Sequence, residues 1–300
     1  MQIGKLVVVG AGLIGASCAL ALRAVEAARE VVGVGRGQAN LDAALACGAV
    51  DRVHRLDAAW TDELSDADVV LVAAPVGQYA TLFRAIAPHV SADVVVTDAG
   101  STKGDVVAAA RAAFDNTRIA RFVPGHPIAG SDRSGASAAT AGLFRGRNVV
   151  LTPLAETSTD AIARAEEMWT ACGARVRIMR ADEHDRVFAA VSHLPHLAAF
   201  AFVAELAARP DAATLLDLAG SGFRDFTRIA ASSPEMWRDI ALSNRAALRE
   251  EVARLRAALE RVDGSLATSD APALEALFGR AADARRRWQS TLPIADDDGA

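Results

Sequence analysis

Lys5-Leu6-Val7-Val8-Val9-Gly10-Ala11-Gly12-Leu13-Ile14-Gly15 decides how the rest of the chain is read. A short apolar run ends in three glycines spaced Gly-x-Gly-x-x-Gly, and a helical pattern follows. Each glycine has a physical task in a dinucleotide-binding turn. Gly10 makes the tight bend, Gly12 lets a pyrophosphate approach the backbone, and Gly15 lets strand and helix pack closely. Leu13 and Ile14 lie in the first turn of the helix, whose free N–H groups and dipole favour phosphate. Gly10, Gly12, Leu13, Ile14 and Gly15 are therefore the expected cofactor contacts. The next strand, Val31-Val32-Gly33-Val34-Gly35, lacks the terminal acid that holds the adenosine ribose of NAD and is followed by Arg36. An arginine there suits a 2′-phosphate, so NADP is the expected cofactor, with NAD as the alternative. The competing reading makes Arg36 a surface residue beside a shorter loop.

Working outward, further apolar runs at Asp68–Ala74, Asp93–Asp98, Arg121–Pro124, Asn148–Thr152 and Arg175–Met179 read as buried parallel strands separated by helices. Beyond about Asp182 the strand signals stop. Asp182–Ala208, Pro234–Val262 and Pro272–Ser290 read as helices, with a break at Gly220–Gly222. The expected architecture is an α/β Rossmann-type doubly wound domain over 1–181 and an all-α substrate and dimerisation domain over 182–300. Helical stretches such as Leu197–Phe202 are apolar on more than one face, which favours a homodimer built through this half.

A chain of 300 residues with 52% hydrophobic content is large enough for two cores. A net charge of −5 argues against nucleic acid or an anionic membrane as partner. The basic run Arg285–Arg287 beside Trp288, before the acidic Asp296–Asp298, reads as a solvated helix end. Three widely spaced cysteines, Cys18, Cys47 and Cys172, form neither a disulfide framework nor a zinc motif. The chain enters a strand almost at once, without a charged leader, and no apolar stretch reads as long and uninterrupted enough to cross a bilayer. A cytoplasmic protein is expected.

Three segments are too polar to be scaffold: Asp98-Ala99-Gly100-Ser101-Thr102-Lys103-Gly104, Pro124–Asp132, and His184-Asp185 with Ser192-His193-Leu194-Pro195-His196. The first two follow strand C-termini, where open α/β sheets bind ligands. Four of the six histidines lie in the last two. His54 and His89 fall in loop-like stretches.

With Gly222–Ala230 and Trp237-Arg238-Asp239, these segments resemble the prephenate/arogenate (cyclohexadienyl) dehydrogenases of tyrosine biosynthesis. The resemblance runs from the first strand to about Leu259. It implies a cyclohexadienol substrate, prephenate with arogenate as a second, which loses hydride to the nicotinamide, a hydroxyl proton to a base, and its ring carboxylate as carbon dioxide. It implies tyrosine as a feedback inhibitor. His126 resembles the family's catalytic base, and imidazole suits that task near neutral pH. Ser101 resembles the serine that orients it; an N-cap for a helix beginning near Thr102 is a compatible second role. Arg228 resembles the arginine that holds the substrate carboxylate. His193, His196, Asp132 and Trp237 match pocket positions. His193 reads equally as a core histidine, Trp237 as a core or interface aromatic, and Asp132 as the cap of a turn over Ser134–Ala141. The chemistry needs no metal. A β-hydroxyacid dehydrogenase, the nearest rival, would need a catalytic lysine in the helical half, and the only lysines are Lys5 and Lys103.

Overall fold

The computed structural model describes residues 2–130 and 133–291. Its elements are β1 (Ile3–Val9), α1 (Leu13–Ala24), β2 (Ala28–Gly35), α2 (Gln38–Ala46), β3 (Arg52–Arg55), β4 (Val69–Val72), α3 (Tyr79–Ile86), β5 (Val95–Asp98), α4 (Gly104–Ala113), the one-turn α5 (Asn116–Ile119), β6 (Phe122–Val123), β7 (Gly125–Pro127), β8 (Asn148–Leu151), α6 (Thr159–Ala171) and β9 (Arg175–Ile178). Then come α7 (Ala181–Phe188), α8 (Leu194–Ala207), α9 (Ala212–Asp217), α10 (Ser221–Thr227), α11 (Pro234–Ser243), α12 (Arg245–Ala267) and α13 (Ala271–Ser290).

Six parallel strands form one sheet in the order β3-β2-β1-β4-β5-β6. Alternate side chains leave opposite faces of a strand, and the sheet is buried on both. Val8, Val31, Leu71 and Val95 pack with α1 and with Met168 and Trp169 of α6. Val7, Val9, Val32, Val70 and Val96 pack with Tyr79, Phe83 and Ile86 of α3 and Val106 of α4. This is the doubly wound α/β domain that the valine-rich strands predict, followed by a helical half.

The structure corrects several details. β8 and β9 do not extend the main sheet. They form a second sheet with β7, in which β7 runs antiparallel to β8. β3 and β7 are strands that the hydrophobic pattern misses, so His54 sits in an edge strand rather than a loop. The helix expected over Pro234–Val262 breaks at Asn244 into α11 and α12. Asp98, at the end of a buried strand, is itself fully buried.

α7 and α8 form one helical run through a π-helical turn, Ala189–His193. Pro195 sits in the first turn of α8 and does not break it. The run, Ala181–Ala207, is long and apolar enough by length and composition to cross a membrane, contrary to the sequence expectation. The histidines and the proline interrupt the apolar pattern in sequence, but the helix continues through them. Within α8 only Ala199 is buried, while Leu197 and Phe202 stay exposed.

The chain divides into two compact units, 1–248 and 249–300. The second consists of most of α12 together with α13. There Arg285 lies over the Trp288 ring at 4.7 Å, and Arg286 pairs with Asp283. The acidic tail lies outside the described residues.

Candidate active site

The glycine turn after β1 has the shape a dinucleotide needs. Gly10 adopts φ +106°, a region that favours glycine, and a Cβ there would meet Ala73 O at 2.5 Å. A Cβ on Gly15 would meet Gly10 O at 2.3 Å and Val8 Cγ1 at 2.6 Å. Around Gly12 nothing lies within 4 Å of where a Cβ would be, which leaves the approach to the helix end open. α1 begins at Leu13 with no side-chain cap, so the first N–H groups, those of Leu13 and Ile14 among them, are free for phosphate oxygens. Asn40 braces the turn by donating to Ala11 O at 2.7 Å. These residues fit a nicotinamide dinucleotide.

Arg36 lies just past β2, and its guanidinium is 3.9 Å from Glu235 Oε1, at the start of α11. Both side chains are more than half exposed. The helical half thus places a carboxylate beside the arginine expected to bind a 2′-phosphate. A bound 2′-phosphate would compete with that carboxylate for the guanidinium.

β5 ends in Asp98, and a polar loop leads to α4. Lys103 is buried in this loop. Its Nζ donates to Asp98 Oδ2 at 2.5 Å and to Gly125 O at 2.6 Å. Asp98 also accepts from Gly100 N at 2.7 Å and Gly125 N at 3.0 Å. Gly125 is therefore held through both its N–H and its carbonyl, and His126 follows it in β7. Burial lowers the Lys103 pKa, opposed by the charge of Asp98. Sequence reasoning did not assign Asp98 or Lys103 to the site. The signal was present, since a lysine and an aspartate flank a loop at a strand C-terminus.

His126 is buried in β7. Its Nδ1 is 2.8 Å from Nε2 of His184, and His184 Nδ1 is 2.8 Å from Asp185 Oδ1. Asp185 accepts from Lys103 N and Gly104 N, each at 2.8 Å, at the start of α4. Phe188 packs edge-on against His126, ring centroids 4.9 Å apart, and closes over His184 at 4.4 Å. The group that hydrogen-bonds His126 is thus His184, not Ser101 as expected. The physical reason is local: α7 turns His184 inward beside β7. Nor does Ser101 cap a helix. α4 starts at Gly104 with Lys103 in the cap position and no side-chain cap. The Ser101 backbone instead lies against His193. Burial first, then the charges of His184, Lys103 and His193, hold the His126 pKa well below 6.5.

His193 is buried in the π-helical turn. Asn244 Nδ2 donates to Asp185 O at 2.7 Å and lies 3.1 Å from His193 Nδ1. The other ring nitrogen, Nε2, is buried without a hydrogen-bond partner among the described residues, and so is Nε1 of Trp237. Two orphaned polar groups whose rings lie 6.1 Å apart suit a polar ligand. His196 stacks on Trp237 at 3.7 Å, and the charge of Arg228 acts on His196. Burial, chiefly, lowers the His193 pKa to about 4. Arg228 lies just past α10 in a short 3₁₀ turn and is exposed. The structure therefore gathers His193, His196, Trp237 and Arg228 in one corner, joined to the His126 pair through Asn244 and Asp185. Asp132 lies outside the described residues. After it, the stretch expected as a helical turn holds only the 3₁₀ turn Ala136–Ala138, preceded by Gly135 at φ +85°. Among the described residues no group of three or more His, Cys, Asp or Glu is arranged to hold a metal ion.

Comparison with known proteins places the chain among its relatives. A family model described as prephenate dehydrogenase, nucleotide-binding domain, matches residues 18–178, and one described as prephenate dehydrogenase, dimerization domain, matches residues 180–280. The chain is 34% identical to a cyclohexadienyl dehydrogenase of Zymomonas mobilis, with 88% of each chain covered. It is 35% identical to a prephenate dehydrogenase of Bacillus subtilis over 79% of this chain and 63% of that one. The crystal structure of prephenate dehydrogenase from A. aeolicus in complex with hydroxyphenyl propionate and NAD+ superposes with a TM-score of 0.86 at 31% identity, covering 97% of this chain and 99% of the other.

Proposed function

The chain belongs to the prephenate dehydrogenase family, and from that premise we propose that it converts prephenate to 4-hydroxyphenylpyruvate and carbon dioxide in tyrosine biosynthesis, using a nicotinamide dinucleotide. One observation carries the reading above all. A buried histidine, His126, stands at the C-terminal edge of a dinucleotide-binding fold and is hydrogen-bonded to a second buried histidine. Held by the glycine turn with Leu13 and Ile14, a nicotinamide dinucleotide would supply the acceptor for the hydride from C4 of the substrate ring. His126 takes the proton of the C4 hydroxyl as that hydride leaves. Loss of the ring carboxylate as carbon dioxide then makes the ring aromatic, so the chain's residues have chiefly to orient the substrate and hold its charge.

Arg228 is assigned to the substrate carboxylate, where a planar donor suits a bidentate anion. His193, His196 and Trp237 line the same corner. Ser101, in the loop after β5, is assigned to the reacting region, and Asp132 is assigned to the substrate side chain. The glycine turn with Leu13 and Ile14 holds the pyrophosphate. Arg36 favours NADP, with NAD as the alternative. The proposed division into a dinucleotide-binding and a helical domain lies at 181/182. The exposed apolar face of α8 is covered in a homodimer formed through the helical half, in keeping with the dimerization-domain match. A cytoplasmic site of action suits a biosynthetic enzyme of this kind. Tyrosine is assigned as a feedback inhibitor on the resemblance alone.

Steady-state rates with prephenate and arogenate, each with NAD and NADP, test the reading directly. Prephenate-dependent reduction of the cofactor with stoichiometric carbon dioxide release is expected. No turnover of prephenate with either cofactor would overturn it. Arogenate is the expected second substrate, and a loss in Asp132→Asn confined to arogenate would place Asp132 at its ammonium group.

A further inference from the structure

The hydrogen bonds around His126 determine which of its two nitrogens carries the proton. Asp185 accepts from Lys103 N and Gly104 N while also lying 2.8 Å from His184 Nδ1. A carboxylate has no hydrogen to give, so the hydrogen of that contact belongs to His184 Nδ1. A neutral imidazole has one N–H, which leaves His184 Nε2 with a lone pair. The hydrogen between the two rings must then sit on His126 Nδ1. By the same count His126 Nε2 carries a lone pair.

We infer that His184 and Asp185 are a two-link positioning relay that fixes the tautomer of His126 and makes Nε2 its proton-accepting atom. The inference rests on the reading of His126 as the base and adds how that base is prepared. The charge states agree. Burial keeps His184 neutral, with Lys103 acting in the same direction and Asp185 opposing. Burial pushes the Asp185 carboxyl up, but the hydrogen bonds of His184, Gly104 and Lys103 outweigh it and hold the group ionised. Among the described residues, the remaining charged or titratable groups facing the rings are His193 and the Lys103–Asp98 pair, whose members neutralise each other at 2.5 Å.

In the reaction the O–H bond of the substrate hydroxyl breaks and an N–H bond forms at His126 Nε2. The positive charge gained by His126 faces the Asp185 carboxylate through His184, so a charge forming in a buried place has an opposite partner already fixed. The relay also crosses the chain. The base is carried by β7, while His184 and Asp185 are carried by α7 of the helical half. Asp185 is in turn held by the amides that open α4, where an anion is favoured.

The test is the ¹⁵N spectrum of histidine-labelled protein at neutral pH, with His126 assigned by its absence from His126→Asn. The expected signature is a protonated Nδ1 and an unprotonated Nε2. Turnover is then measured in three variants. Asp185→Asn and His184→Phe should lower kcat by about 10²–10⁴-fold, the scale of a misplaced tautomer in a catalytic triad, with KM for the cofactor unchanged. His184→Gln keeps an acceptor for His126 Nδ1 and should recover roughly tenfold over His184→Phe, the worth of one hydrogen bond. A wild-type His126 protonated on Nε2 overturns the relay, even where a variant does not fold. So does a His184→Phe enzyme with wild-type kcat. If His126→Asn itself keeps a normal kcat, it is the assignment of the base that fails.

Discussion

His126 shows how a residue's surroundings set its chemistry. Burial, and then the charges of His184, Lys103 and His193, lower its pKa well below 6.5. A base with a lowered pKa stays unprotonated at every pH above that value and is lost only when pH falls through it. The acid limb of kcat/KM should therefore lie below pH 6.5, and a limb centred at or above 6.5 would contradict the geometry. His126→Asn should lower kcat by roughly 10²–10⁴-fold with little change in cofactor affinity, measured by steady-state rates and cofactor titration. Arg36 is different, an exposed cation paired at 3.9 Å with Glu235. Arg36→Ala should cut kcat/KM with NADP by about tenfold relative to NAD, since an exposed charge-assisted contact is lost; parallel assays with both cofactors read this out. The residues legible in sequence were those in unusual company: His126 between glycine and proline, Ser101 in a polar loop at a strand end, histidines inside an apolar helix. Their partners were not legible. His184 and Asp185 lie 58 and 59 positions after His126 in the chain, and only the fold brings them beside β7.

Among the elements, the β1–α1 unit was the most legible, because its glycines answer to steric limits that hold wherever the turn occurs. Gly15 leaves no room for a methyl group: a Cβ would lie 2.3 Å from Gly10 O. Gly15→Ala should weaken dinucleotide binding and lower stability by about 1–3 kcal/mol, seen as raised cofactor Kd and a lowered denaturation midpoint. Wild-type binding in that variant would show that the turn tolerates a wider gap between strand and helix. β3 and β7 were missed for reasons that their residues make plain. Arg52-Val53-His54-Arg55 lies at the sheet edge, where one side needs no apolar cover. Gly125-His126-Pro127 carries two poor strand formers and is held by pairing with β8. The break in the long helix at Asn244 was hidden because flanking residues keep a helical pattern. What stops it is tertiary: the Asn244 side chain serves Asp185 and His193.

At the scale of the whole molecule, stability in acid has an identifiable contributor. Burial pushes the Glu63 carboxyl up, but hydrogen bonds from Lys5 and Arg52 prevail and bring its pKa to about 2. A folded pKa below the ordinary 4.5 stabilises the fold above that ordinary value, and the contribution is lost as pH falls from about 4.5 towards 2. Glu63→Gln should lower stability at pH 7 by roughly 1–3 kcal/mol and flatten its decline across that window; denaturant titrations at stepped pH measure both, and an unchanged slope would exclude the network. The proposed association through the helical half gives a second expectation. Phe202→Asp, on the exposed face of α8, should shift the protein towards monomer in light scattering, whereas an intact dimer would place the contact elsewhere. The apolar excess of this half was readable in sequence, but the course of its first helix was not, and one detail of that course matters. The π-helical turn Ala189–His193 carries His193 at its end and lies between His184 and His196. A π turn holds one residue more than its α counterpart, so it acts as an angular offset between α7 and α8. Were the same residues to close into a regular α-helix, His193, His196 and all of α8 would turn by about 100° against His184 and Asp185. Over evolutionary time loss of the extra residue within this turn should leave α8 in phase, whereas a one-residue change of length within α7 or α8 should not.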